Sequence, residues 1–357
     1  MRGIFAAGLL ILLFLLLESA AFADQANVFV YHRFNDARFP STNISRQDFR
    51  AQLELLQQHE FTVLTLGQVV TSLQQGISLP PRCAVITIDD AYRSFLTDGW
   101  PLLQKFGYPA TLFVSTDTVG GADYLTWRDL AMLQGEGVEI GNHSASHGYL
   151  LKRLPAENDA AWSARIMADL KRSQQAFKTQ LGSAPRLFAY PYGEFDPQLV
   201  ALVKSAGFVA AFGQQSGVVS ADQDLYSLPR FPVGGDYGSL DEFRSKLFMR
   251  HLPVRVESPG STLINSPNPP VLRFVLNLDD IDSRTLRCFV PGVPECTIRT
   301  VAGVAGLYEV EASQPLGGRR SKYTVTASDA RGRTWYWFSQ LWVLPDGDEL
   351  AGQSVAR

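Results

Sequence analysis

A short apolar stretch that ends in two carboxylates decides the fold, because residues 83–90 are CAVITIDD. Apolar and β-branched residues in a run of this length are typical of a buried strand. Side chains alternate between the two faces of a strand, so Thr87 and Asp89 share one face. Two adjacent carboxylates beyond such a strand are costly to desolvate unless they are paired or bound to a cation. The stretch alone leaves open whether Asp90 only caps a following helix.

Similar strands alternate with amphipathic helices through residues 24–252. The predicted strands lie at 28–31, 61–66, 84–89, 110–115, 138–142, 187–190 and 209–212. The predicted helices lie at 45–59, 92–106, 127–133, 156–181 and 197–206. Strands that alternate with helices indicate a parallel sheet covered by helices. About seven such units predict an α/β domain of the (β/α) barrel type, with its chemistry at the carboxyl ends of the strands.

The composition changes after residue 252. Residues 253–270 contain five prolines, with glycine and several serines, and are predicted to form a linker. The strands predicted beyond it lie at 271–278, 297–301, 307–312, 323–327 and 334–343. This pattern predicts a small all-β sandwich over residues 271–345, followed by a tail at 346–357. The last strand contains the sequence WYWF at 335–338, whose aromatic rings either pack in the core or bind sugar rings.

The first 23 residues predict a secretory signal peptide. Arg2 supplies a short basic region, residues 4–17 are apolar, and Ala21 and Ala23 are the small residues of a cleavage site. The alternative is an uncleaved membrane anchor, but the apolar run is shorter than the roughly 20 residues that span a bilayer. We therefore expect an exported protein, periplasmic or extracellular, with no stable membrane insertion after cleavage.

Export changes the interpretation of the three cysteines, since an oxidising compartment permits disulfides. Cys288 and Cys296 bracket the glycine- and proline-containing segment FVPGVPE, which is able to turn back on itself. We predict that they form a disulfide. Cys83 is predicted to be a buried free thiol, because no activating histidine or base flanks it.

Composition excludes several classes of protein. Hydrophobic residues make up 46% of the chain and charged residues 19%, which excludes disordered, collagen-like and coiled-coil proteins. The 32 Lys and Arg against 35 Asp and Glu leave a net charge of −3, so no cationic field favours a nucleic-acid partner.

Two further segments at predicted strand ends point to chemistry. Residues 142–148 are NHSASHG, in which His143 and His147 have the spacing of metal ligands. Two imidazoles and one carboxylate make a common open metal site, whereas the alternative is a pair of surface histidines in a loop. Residues 188–193 are FAYPYG, and a strand that ends in this way directs backbone N–H groups to where an oxyanion would develop. An ordinary aromatic turn remains the alternative for this segment.

The three segments together resemble the motifs of the polysaccharide deacetylases with a NodB homology domain, carbohydrate esterase family 4. Residues 87–90 resemble the first motif, residues 143–147 match the His-Ser-x-x-His metal motif, and residues 189–192 approximate the Arg-x-Pro-Tyr motif. The resemblance covers residues 26–250. It implies a distorted (β/α) barrel that removes N-acetyl groups from an amino-sugar polymer with a divalent metal, in the first place Zn²⁺, with Co²⁺, Ni²⁺ or Fe²⁺ as alternatives.

The resemblance also implies roles for individual residues. Asp89 is expected to be the general base, and the Tyr192 amide is expected to form part of the oxyanion hole. The expected metal ligands are Asp90, His143 and His147. The side chains expected to contact the sugar are Pro191, Tyr190 and Trp127.

Two departures from the family pattern modify this expectation. Ala189 stands where the family has an arginine that steadies the base, and we expect Arg230, at another strand end, to replace it. No Leu-x-His motif supplies the general acid near the domain end, since His251 is a poor match. His32 follows the first predicted strand and resembles the acid of the permuted branch that deacetylates poly-β-1,6-N-acetylglucosamine. Its alternative is a structural histidine at the barrel rim.

The expected function is therefore that of a polysaccharide N-deacetylase, with a poly-N-acetylglucosamine-type exopolysaccharide as substrate. One alternative is deacetylation of chitooligosaccharides or peptidoglycan. Another is a non-catalytic carbohydrate-binding protein on a deacetylase scaffold, because an altered third motif is what loss of catalysis would leave.

Overall fold

The computed structural model describes residues 24–277 and 280–348. The predicted signal peptide and most of the predicted tail lie outside these ranges. Within them, no helix has both the length and the apolar character needed to cross a membrane.

The described chain contains two groups of strands with helices between those of the first group. In chain order the strands are β1 Gln25–Tyr31, β2 Arg33–Phe34, β3 Asn43–Ile44, β4 Thr62–Leu64, β5 Cys83–Ile88, β6 Thr111–Val114, β7 Glu139–Asn142, β8 Leu187–Ala189, β9 Ala210–Phe212, β10 Val219–Ser220, β11 Phe231–Pro232, β12 Arg250–His251, β13 Val254–Ser258, β14 Leu272–Leu276, β15 Asp282–Phe289, β16 Cys296–Thr300, β17 Leu307–Ala312, β18 Arg320–Ser328 and β19 Trp335–Val343. The α-helices are α1 Arg46–Gln58, α2 Leu66–Gln75, α3 Trp100–Phe106, α4 Trp127–Gly135, α5 Asp159–Leu181, α6 Pro197–Ser205 and α7 Leu240–Leu247.

The first group forms a curled, mostly parallel sheet. Its order is β10-β1-β5-β6-β7-β8-β9, with β11 also beside β1 and β4 also beside β5. All of these pairings are parallel except that of β10 with β1. Parallel strands bring their carboxyl ends to one edge, so the segments that follow β1, β5, β7 and β8 meet there.

Strand β5 is buried on both faces of the sheet. Every residue of the strand is buried, as expected where both faces of a parallel sheet are covered. Ile86 and Ile88 pack in the cluster beneath the helices, whereas Val85 belongs to the cluster on the opposite face. Thr87 and Asp89 follow Val85 on that inner face, in the way the alternation of the sequence predicts.

Most strand predictions lie within a few residues of the observed bounds, but α2, α7 and β15 were not predicted, and α2 is the longest of these three. The strand predicted at 61–66 ends at Leu64, because Thr65 begins a helix as its N-cap. The Thr65 hydroxyl accepts from the Gln68 amide, and the Gln68 side chain accepts from the Thr65 amide. The sequence contains this capping box, but the predicted strand was extended past Thr65 because the residues around it are apolar.

The second group forms two four-stranded sheets of a sandwich. Their orders are β12-β19-β18-β15 and β13-β14-β17-β16. Phe274, Val310, Val325 and Trp342 are buried in one cluster that both sheets share. The sandwich prediction therefore describes the architecture well.

The predicted linker at 253–270 is corrected by β13. Val254–Ser258 pairs antiparallel with β14, and β12 already pairs with β19, so the sandwich begins before the predicted linker and continues through it. Val254 and Val256 alternate with polar residues and pack against the sandwich core. The physical reason is that a proline restricts its own position and favours extended backbone in the residue before it, so a strand fits between Pro253 and Pro259.

The two domains share a packed interface. Leu341 and Val343 of β19 lie in one cluster with Phe188 and Tyr190 of the first domain. Trp337 packs edge-on against Phe231, with ring centroids 5.6 Å apart. Trp337 is therefore an interface residue, while Trp335 on the same strand is exposed.

Candidate active site

Three loops converge at the carboxyl edge of the sheet. The loop after β5 turns sharply, with left-handed φ values of 71° at Asp90 and 58° at Ala91. Such values are uncommon for residues with a Cβ atom and cluster at functional sites. The Asp89 amide donates to the Tyr31 carbonyl at 2.9 Å, which fixes the start of this turn against β1.

The histidine loop after β7 is held by side chains that accept backbone hydrogen bonds. Asn142 Oδ1 accepts from the Ser144 amide at 2.7 Å. Asp169 of α5 accepts from the Ala145 amide at 2.8 Å and from the Ser146 amide at 3.2 Å. These bonds fold the segment so that both histidines face the same carboxylate.

Asp90, His143 and His147 form a compact cluster of ligand atoms. His147 Nε2 lies 3.0 Å from Asp90 Oδ1, and His143 Nε2 lies 3.5 Å from the same oxygen. The three ligand atoms all lie within 4.8 Å of one another. The loop geometry thus brings together the three residues predicted as metal ligands.

The donor set fits a divalent cation. His143 Nδ1 donates to the Ala189 carbonyl at 2.8 Å, because a carbonyl oxygen only accepts, and this leaves the lone pair on Nε2. In the described part of the chain, His143 Nε2 and Asp90 Oδ2 are buried atoms without a hydrogen-bond partner. Burial lowers the pKa of His143 to about 4, so its imidazole is neutral, as a ligand requires. Two imidazoles and a carboxylate with unsatisfied buried atoms match an open metal site.

Asp89 is paired with Arg230 rather than with the cluster. Arg230 Nη1 donates to Asp89 Oδ1 at 2.7 Å and Nη2 donates to Oδ2 at 2.8 Å, and both side chains are fully buried. Gln214, which follows β9, donates through Nε2 to Asp89 Oδ2 at 3.2 Å. Burial opposes ionisation of Asp89, but Arg230 and then His143 outweigh it, and the pKa of the carboxyl lies below its usual range.

The turn after β8 carries Tyr192 with a left-handed φ of 59°. Gly193 follows with φ 72°, and a Cβ atom there would lie 2.5 Å from the Gln214 amide nitrogen. The Tyr192 ring packs edge-on against His147 with centroids 4.7 Å apart, and it stacks on Tyr149 at 4.0 Å. The turn is therefore fixed beside the metal ligands.

His32 follows directly after β1. Burial opposes ionisation of Asp90, but His147 and then His32 outweigh it, so the pKa of Asp90 lies well below its usual range. His32 also contributes, after Arg230 and His143, to the lowered pKa of Asp89. It lines a pocket together with Tyr192 and Gln214. The structure thus places His32, the predicted acid, in the wall of this pocket.

Comparison with known proteins identifies the family. A family model described as polysaccharide deacetylase matches residues 76–211, which include the carboxylate pair, both histidines and the Tyr192 turn. The poly-β-1,6-N-acetyl-D-glucosamine N-deacetylase of Staphylococcus aureus (strain MRSA252) is 25% identical over 220 residues, covering 60% of this chain and 76% of that protein. Residues 76–211 of this chain thus match the polysaccharide deacetylase family. The family and the enzyme class predicted from the motifs are thereby confirmed.

Solved structures show the same fold in the deacetylase domain. IcaB from Ammonifex degensii superposes with a TM-score of 0.54 at 24% identity, covering 63% of this chain and 97% of that one. The BpsB deacetylase domain from Bordetella bronchiseptica gives a TM-score of 0.52 at 25% identity, covering 59% of this chain and 96% of that one. The predicted distorted (β/α) barrel is therefore confirmed.

The structure does not bring all predicted sugar contacts to the site. Tyr190 is fully buried and donates its hydroxyl to the Tyr226 carbonyl at 2.9 Å, so it is a core residue of the deacetylase domain. Trp127 begins α4 and packs edge-on against Phe177 of α5, with ring centroids 5.7 Å apart. Pro191 is buried in the turn before Tyr192. The predictions for Tyr190 and Pro191 are corrected, because buried side chains do not contact a sugar, whereas the role of Trp127 stays a prediction.

None of the three cysteines is among the described residues that line the His32 pocket, although Pro291 of the disulfide-closed loop is. Cys288 and Cys296 are bonded in the sandwich, with Cα atoms 5.6 Å apart. Cys83 is a buried free thiol whose pKa is raised to about 12 by burial, so it stays unreactive.

Three residues near the site were missed by sequence reasoning. Gln214 follows the end of β9, and that position at a strand end was an available signal. Arg320 and Lys322 belong to β18 of the sandwich and line the same pocket as His32. No local pattern could have indicated them, because the sandwich strand reaches the deacetylase domain only through the tertiary fold.

Proposed function

We propose that this chain hydrolyses N-acetyl groups of a poly-N-acetylglucosamine-type exopolysaccharide, with a divalent metal held by Asp90, His143 and His147. The observation that carries the proposal is this ligand cluster beside a buried Asp89–Arg230 pair. The match to the deacetylase family supports the reaction, and the Staphylococcus aureus relative supports the choice of polymer.

Each side chain has a distinct task in this proposal. Asp89 takes a proton from the attacking water, and Arg230 holds its carboxylate in place by two hydrogen bonds. Arg230, which directly precedes β11, takes the place of the arginine that the family has before the Pro-Tyr motif. Gln214 restricts the second carboxylate oxygen from the opposite direction.

The oxyanion and the leaving group are served by other loops. The Tyr192 N–H donates to the developing oxyanion, and one such donor lowers the barrier by about 3 kcal/mol in comparable hydrolases. His32, as the imidazolium, protonates the sugar nitrogen so that the amine leaves. Acetate and a glucosamine unit are the products.

The metal would be held by the two imidazole Nε2 atoms and a carboxylate oxygen of Asp90. When bound, such an ion acidifies a water molecule and polarises the acetamide carbonyl. We propose Zn²⁺, because it favours sites of histidine and carboxylate ligands with an open position, and Co²⁺, Ni²⁺ or Fe²⁺ are alternatives of similar ligand preference. We also propose that the protein is exported, on the basis of its amino-terminal sequence.

Acetate release from defined substrates tests the proposal. Purified protein is incubated with β-1,6-linked N-acetylglucosamine oligomers, β-1,4-linked oligomers and peptidoglycan, with and without a chelator. We expect acetate from the β-1,6-linked oligomers and its loss with chelator. Release only from one of the other two substrates would contradict the choice of polymer, and binding without any acetate would favour the non-catalytic alternative.

A further inference from the structure

A pocket lies between the deacetylase domain and the sandwich, directly beside the candidate active site. From the deacetylase domain it is lined by His32, Tyr192 and Gln214, and from β18 by Arg320 and Lys322. A polymer continues on either side of the unit being hydrolysed. A pocket that shares His32, Tyr192 and Gln214 with the site lies where a neighbouring sugar unit would be placed.

Lys322 brings an uncompensated charge to this pocket. Its Nζ contacts Ser216 Oγ at 2.9 Å, and no carboxylate of residues 24–277 or 280–348 forms an ion pair with it. Burial, with a smaller effect of the charge on Lys246, lowers the pKa of Lys322 to about 8. The side chain is still mostly cationic at neutral pH.

The neighbouring arginines add to the positive field. Arg319 engages both oxygens of Glu194 at 2.7 and 2.8 Å, and Arg320 Nε lies 3.8 Å from one of them. None of the described residues that line the pocket is an aspartate or a glutamate.

We propose that this interdomain pocket is a charge-selective subsite, which favours an anionic over a neutral and a neutral over a cationic sugar next to the unit being deacetylated. Arg320 and Lys322 are its recognition groups. The inference rests on the proposed function, since it concerns the neighbour of the hydrolysed unit. One consequence follows for the product: a newly formed glucosamine ammonium is repelled from the subsite, so adjacent units are not deacetylated in succession.

Binding to the Asp89→Asn protein tests the proposal without turnover. Three trisaccharides of the same linkage are titrated by NMR, each with an N-acetylglucosamine unit between neighbours that are uronic acid, glucose or glucosamine. We expect the uronic acid form to bind most tightly and the glucosamine form most weakly. Lys322→Met should reduce the ratio of the uronic acid affinity to the glucosamine affinity by about fivefold or more, because a unit charge at close range is lost. Lys322→Arg should keep this ratio.

The control is Lys171→Met, which removes the same charge from an exposed position on α5. It should leave the affinity ratio unchanged. Equal affinities for the three trisaccharides, or a ratio that Lys322→Met leaves intact, would overturn the subsite. Failure of the proposed function has a different signature, namely absence of acetate release by the wild-type protein.

Discussion

Arg230 and Asp89 are the residues on which the electrostatics of the site depend. Both are fully buried, and their bidentate pair fixes the carboxylate that faces the metal ligands. The sequence motifs indicated Asp89, and a gap in the third motif directed attention to Arg230. Gln214 and Lys322 were not predictable in this way, because their contacts depend on how distant strands pack.

Replacement of Arg230 by methionine should destabilise the fold. The variant leaves the Asp89 carboxylate buried and unpaired, which costs about 3 kcal/mol or more in comparable buried pairs. Urea unfolding measures the change. The double variant Arg230→Met, Asp89→Asn should recover much of the loss, and Arg284→Met, at an exposed pair with Asp282, should have no measurable effect. An unaltered free energy of unfolding in Arg230→Met would contradict the account.

Among the elements, the turn after β8 shows how backbone conformation determines the site. Tyr192 and Gly193 are both left-handed, and the turn lies against Gln214. The FAYPYG segment predicted a turn with available N–H groups. The position of this turn beside Gln214 depends on how β8 packs next to β9, which the segment alone does not show. The linker prediction failed at β13 for a related reason, since proline content alone does not show where strand pairing begins.

Replacement Gly193→Ala should slow catalysis. The added Cβ would meet the Gln214 amide at 2.5 Å and force the Tyr192 peptide to move, and misplacement of this kind can lower kcat by about tenfold or more. Initial rates of acetate release measure the effect. Gly76→Ala is the matched control, because Gly76 has the same left-handed conformation with open space around it. Equal rates for the two variants would argue against a positioning role of the turn.

The whole molecule behaves as two domains with a common interface. The sequence predicted two domains of the correct types, but it contained no signal for the contacts between them. Arg319 pairs with Glu194 across the interface, and Arg320 donates to the Tyr192 carbonyl at 3.0 Å. The sandwich is therefore part of the surroundings of the active site, which separate motifs could not reveal.

Calorimetry should show one cooperative unfolding transition, since the domains share the apolar cluster around Val343. Arg319→Met leaves Glu194 buried without its main partner, and it should lower the midpoint or separate the transition into two. The double variant Arg319→Met, Glu194→Gln should restore part of the midpoint. Two independent transitions in the wild-type protein would contradict the shared interface.

The central claim is that Asp89 is the general base, whereas Asp90, His143 and His147 hold the metal. Acetate release and bound metal are measured together for the wild-type protein, Asp89→Asn and His143→Ala after metal loading. The account predicts that Asp89→Asn keeps the metal and loses turnover by about a hundredfold or more, whereas His143→Ala loses both. Full acetate release by Asp89→Asn, or by His143→Ala without bound metal, would contradict it.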